Sequence, residues 1–303
     1  MGGSPINPDR EKLMSKPMAL RVFGFLFLGL FFSKLASLPH LLPTQTLILL
    51  LICFSVVTVA SLIAQYPILP SVRGASVPVG LFVGVLEVFV SMVGSADGSL
   101  IERVTAIYIP LTIGIIVSYL LQTFDETATD QTNSEQQSGK VWHHLTTLVL
   151  LFLATGGYLD ITRDDFALMF VFNEYSVLFA VAVIALIFSS SEFQTESLEQ
   201  LLAASGSIIC IAAAVMGIAT YSASVATMDP RSLGPAIHLS FAMMYLGSGL
   251  IVTAHSLGCG PRTHAELRRR DWHLIESFVF LTLIILPPFT LFEVMDLQAT
   301  GTS

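Results

Sequence analysis

The chain has 303 residues, 53% of them apolar and only 12% charged, with a mean hydropathy of +0.76. A soluble domain carries about a quarter of its residues charged, so a water-soluble globular fold is excluded, and the formal net charge of −8 offers nothing to nucleic acid. The three cysteines, Cys53, Cys210 and Cys259, form no C-x-x-C pair, which argues against a disulfide framework or a zinc site.

A helix crosses the hydrocarbon core with about 20 apolar residues. After a basic tail at 1–17, runs of that length fall at 18–38, 44–65, 75–96 and 104–123, which make a first block at 18–123. The segment 124–141 is polar and acidic and reads as a flexible loop. A second block at 142–295 holds runs at 142–160, 166–189, 200–227, 233–257 and 274–295, and 296–303 is a short tail. None of these runs shows two-residue alternation, so helices are expected instead of membrane strands. The expected fold class is all-α: a polytopic transmembrane helix bundle of about nine spans. The first run follows basic residues but lacks a small-residue cleavage site, so it is expected to be retained.

Lysine and arginine set the orientation. With the N-terminus inside, the inside segments hold Arg10, Lys12, Lys16, Arg21, Arg73, Lys140, Arg262, Arg268, Arg269 and Arg270. The outside segments hold only Lys34, Arg103, Arg163 and Arg231. The C-terminus is then outside. The run 200–227 carries Ala203, Ala204, Gly206, Cys210, Ala213, Ala214 and Gly217, small residues that let helix backbones approach in lipid. Pro287 and Pro288 must bend the last run.

A charged side chain at membrane depth costs about 2.5–3.5 kcal/mol on insertion scales, so each calls for a reason. Glu87, in VGVLEVFVSM, falls near the middle of its run, and Glu174, in VFNEYSVLFA, falls in the outer half of the run 166–189. Asp160 closes the run 142–160. Lys34, Asn173, Tyr175, His238 and Tyr245 are polar or amphipathic groups at comparable depth. Lys34 can snorkel to the interface, Asp160 can sit at the headgroups, His238 can be a satisfied structural group, and the two tyrosines can be packing or belt residues. Glu87 and Glu174 have no such easy route to water. One acid held ionised by Lys34 beside a second held neutral would suit acid–base catalysis or proton movement across a membrane.

Several motifs are absent: a Walker A loop, G-x-G-x-x-G, H-E-x-x-H and an aspartate-rich prenyl-diphosphate motif. His143 and His144 have no second histidine at metal-ligand spacing on their run. No metal and no cofactor are expected. Ser205 and His255 are spaced like a rhomboid protease pair, but the text at the serine is A-A-S-G and the two fall on adjacent runs.

In size, span number, embedded acids and lack of a metal motif, the chain resembles small integral-membrane terpene cyclases of fungal pathways. Glu87, Glu174 and Asp160 carry the resemblance. It implies acid-assisted cyclisation or isomerisation of an apolar substrate of isoprenoid type, with those three residues catalytic. Lys34, Asn173, Tyr175, His238 and Tyr245 are expected to line the substrate. The phenylalanines, 21 in all, could stabilise a carbocation through their ring faces. A proton-coupled transporter and a non-catalytic subunit of a membrane complex are the alternatives. The expected partners are the lipid bilayer and an apolar small molecule.

Overall fold

A computed structural model describes residues 44–93, 100–125, 141–162, 172, 174–189, 198–227 and 230–257. These residues form seven helices and, among themselves, no strand. In chain order they are α1 (Thr44–Ala64), α2 (Ile68–Val93), α3 (Leu100–Asp125), α4 (Val141–Thr162), α5 (Glu174–Ser189), α6 (Leu198–Thr227) and α7 (Pro230–Ser256). Five of them, α1, α2, α4, α6 and α7, contain stretches long and apolar enough to cross a membrane. The seven helices answer to the seven predicted runs between 44 and 257. The runs 18–38 and 274–295 lie outside the described residues.

The starts of α2 and α5 differ from expectation, α5 beginning at Glu174. α2 begins at Ile68, well before residue 75, because α1 stops abruptly. The Tyr66 amide donates to the Ser61 carbonyl at 2.9 Å and the Gln65 amide to Leu62 at 3.2 Å. Gln65 takes φ = 60°, so it occupies the left-handed position of a Schellman cap without being glycine. Pro67 follows, where a helix cannot continue, and Pro70 falls in the first turn of α2, where its missing amide is no loss. Arg73, expected in a loop, is therefore helical.

α7 is the innermost helix. It packs most extensively on α6 and α2, and also on α5, α4 and α1. Its stretch Leu239–Ser256 is almost wholly buried although it is the least apolar of the five candidate spans. A helix faced by protein on every side need not be greasy; it needs small residues where neighbours come close. A Cβ on Gly206 would strike the Gly247 carbonyl, and one on Gly247 would lie 2.7 Å from Cys210 Sγ. The α6–α7 crossing therefore depends on both glycines, and Ala203, Ala213 and Ala214 are buried along it. The α2–α3 crossing is built the same way: a Cβ on Gly80 would lie 2.5 Å from the Pro110 carbonyl oxygen, and one on Gly114 would meet the Ser76 carbonyl.

Candidate functional site

The centre of the bundle is aromatic. Tyr245 on α7 is fully buried and stacks on Phe82 of α2, with ring centres 4.6 Å apart and planes at 25°. Phe152 of α4 meets Tyr245 at 5.0 Å and Phe82 at 6.1 Å. Phe172, just before α5, meets Phe152 edge-on at 5.4 Å and 83°. Tilted and edge-on arrangements of this kind suit the ring quadrupoles. The Phe152 ring can sit so deep because Gly249 faces it; a Cβ there would come within 2.6 Å of the ring. The tyrosine hydroxyl meets Thr155 Oγ1 at 2.8 Å. Thr155 already donates its one hydroxyl hydrogen to the Leu151 carbonyl at 2.7 Å, so Tyr245 is the donor.

Phe152 is also a wall of a half-open groove of about 310 Å³ between α4, α5 and α7. Leu148 and Leu153 of α4, Ala180 and Ile184 of α5, and Leu246 and Leu250 of α7 complete most of it. Its lining contains no charged side chain and no side-chain hydrogen-bonding group. Such a surface offers apolar contact and shape, and nothing to a polar solute.

Of the expected site residues that the structure describes, none belongs to the groove lining. Glu87 is 6% exposed and accepts a 2.9 Å hydrogen bond from Thr46 Oγ1 in the first turn of α1. Glu174 is exposed at the first position of α5, where a carboxylate is favoured by the helix N-terminus. Asp160 is exposed near the end of α4, and Tyr175 is 64% exposed. α2 packs on α7 and α7 on α5, so the innermost helix stands between the helix of Glu87 and that of Glu174. Tyr245 touches a wall of the groove through Phe152. Lys34 and Asn173 lie outside the described residues, as does the side chain of His238. Ser205 donates within its own helix, to the Leu201 carbonyl at 2.8 Å.

One buried polar pair escaped the sequence reading. His144 Nε2, at the start of α4, lies 3.3 Å from Glu199 Oε1, at the start of α6, and both side chains are at most 6% exposed. Glu199 was not among the candidates because it sits at a predicted span boundary, and its partner is 55 residues away. The same end of the bundle holds Ser61, whose hydroxyl donates to the Val57 carbonyl at 2.8 Å and lies 3.2 Å from the Ser256 carbonyl, and the buried His255. No group of three or more metal-ligating side chains occurs among the described residues.

No protein-family model matches the chain, and neither a curated protein nor a solved structure matches it. The functional reading therefore rests on this geometry alone.

Proposed function

We propose that the chain is a multi-pass integral membrane protein whose groove takes up an apolar molecule directly from the bilayer. In this reading about nine spans cross the membrane, with the N-terminus inside and the C-terminus outside. The uneven distribution of lysine and arginine supports that orientation. The observation that carries the reading is the groove itself: about 310 Å³, walled by aliphatic and aromatic groups, with Phe152 joining it to the Phe82–Tyr245 stack. A dry 150 Å³ cavity holds one benzene, so a hollow of about 310 Å³ suits a chain of roughly a dozen carbons, the size of a short isoprenoid.

A second reading adds chemistry, and Glu87 favours it. Glu87 is a buried carboxyl that accepts from Thr46 Oγ1, and an acid at membrane depth is a candidate for function. Glu87 is on the same helix as Phe82 but outside the groove lining, so in this reading the substrate reaches beyond that lining, and the aromatic nest would stabilise positive charge developing on an alkene. Acid-assisted cyclisation or isomerisation is then the reaction class, with Glu87 as the acid. Glu174 and Asp160, both exposed, contribute to it less directly. Transport of the same molecule would leave it chemically unchanged, and a non-catalytic subunit would neither convert nor move it.

Photo-crosslinking tests the binding reading. A diazirine-bearing isoprenoid hydrocarbon is added to the protein in nanodiscs, and labelled residues are mapped. Labelling concentrated on Leu153, Ala180 and Ile184 supports the groove. Labelling spread evenly onto Leu51 and Leu62, exposed apolar residues of α1 that do not line the groove, removes it.

A further inference from the structure

The lining of the groove is carried by helices except at one point. On α5 it takes Val177, Ala180, Val181 and Ile184, whose spacing puts them on one helix face. On α4 it runs from Leu148 to Leu153. Phe172 also lines the groove, yet it lies before Glu174, the first residue of α5. It is therefore the limit of the α5 wall in that direction, just as Phe152 and Leu153 are the limit of the α4 wall. The Phe152 and Phe172 rings meet edge-on at 5.4 Å, so the two walls converge at that end. Elsewhere α4 packs on α1 and α7, and α5 on α6 and α7, so this ring contact draws the walls together. One turn before Leu148, at the opposite limit of the α4 wall, His144 meets Glu199 at 3.3 Å and ties α4 to α6. The groove is thus bounded along its length and open along its side.

The two rings of the closed end are not held alike. Phe152 is 8% exposed and is backed by Phe82, Tyr245 and Gly249. Phe172 is 36% exposed and, among the described residues, meets the aromatic nest through its contact with Phe152. Phe152 belongs to the core; Phe172 leans against it from outside. We infer that Phe172 is the end wall of the groove and sets the length of the apolar molecule it accepts. It is then a specificity-determining residue. This rests on the groove reading above. Exchanging the ring for a methyl group vacates the room of about one benzene, and a groove for roughly a dozen carbons would then take about half as many again. A close-packed apolar wall yields little, so an oversized molecule is disfavoured by about tenfold or more.

The test uses the full chain in nanodiscs and rigid rods, since a flexible chain can bend out through the open side. Biphenyl and p-terphenyl, which differ by a single ring, compete at equal mole fraction with the crosslinking hydrocarbon. In the wild type biphenyl should compete about tenfold better or more. In Phe172→Ala the difference should vanish, because the vacated room takes the added ring. A biphenyl carrying a diazirine at each end should label Phe172 in the wild type, and this arm needs no variant to fold. Equal competition by the two rods in the wild type, or labelling that avoids Phe172, overturns the end wall and leaves the groove standing. A preference for biphenyl that persists unchanged in folded Phe172→Ala places the limit elsewhere and overturns the role of Phe172. If neither rod competes although the hydrocarbon labels the groove, the end wall falls alone. If the hydrocarbon does not label the groove, both readings fall.

Discussion

Tyr245 and Thr155 fasten the innermost helix to α4 by a 2.8 Å hydrogen bond in which the tyrosine donates. The same ring stacks on Phe82 and touches Phe152. One side chain thus links three helices.

Truncating that side chain should separate its two roles. Tyr245→Phe removes one buried hydrogen bond and keeps the ring, so a loss of about 0.5–1.5 kcal/mol is expected. Tyr245→Ala opens a cavity in the core, and a loss of about 3–5 kcal/mol is expected. Thermal unfolding in detergent measures both. Similar losses for the two variants would mean that the stack contributes nothing.

Glycine substitutions should follow the crossings. Gly206→Ala and Gly247→Ala each drive a Cβ into the opposite backbone or into Cys210, so both should destabilise the α6–α7 pair by about 1–3 kcal/mol. Gly157→Ala meets nothing within 4 Å and should be neutral or stabilising by up to about 1 kcal/mol. The same melting series checks the contrast.

Much of this was legible in the sequence. The small residues of 200–227 announced a packing helix, and Ala203, Gly206, Cys210 and Ala213 do pack against α7. The seven runs between 44 and 257 became helices because length and hydropathy need no knowledge of neighbours. The burial of Glu87 was legible from its depth. The environment of Glu174 was not. An apolar stretch from 166 onward hides where α5 begins, and the structure places Glu174 at the start of the helix, not inside it. Which phenylalanines form the nest depended on helix order, as did the meeting of His144 with Glu199; hydropathy carries no information about either.

Glu87 offers a third expectation. Glu87→Gln keeps an acceptor for Thr46 and should be tolerated within about 1 kcal/mol. Glu87→Leu removes the partner of a buried hydroxyl and should cost about 1–3 kcal/mol. If the second, chemical reading holds, Glu87→Gln abolishes conversion of the substrate while the protein still inserts and accumulates. Product analysis by mass spectrometry decides this, and full conversion by the Gln variant removes the acid role.

Glu174→Ala should matter little. An exposed carboxylate at a helix N-terminus contributes about 0.3–1 kcal/mol, and the groove lining does not include it. Binding of the apolar probe should be unchanged. A large loss of binding would bring Glu174 into the site in a way the helix order does not anticipate.

The central claim is that the groove, and not the bundle surface at large, holds an apolar molecule. Native mass spectrometry of the protein released from detergent measures it most directly, comparing the wild type with Ala180→Trp, which fills the groove from the α5 wall, and with Leu51→Trp on the exposed face of α1. One apolar molecule of roughly a dozen carbons should be retained by the wild type and by Leu51→Trp, and none by Ala180→Trp. Equal retention by all three, or none in the wild type, would contradict that claim.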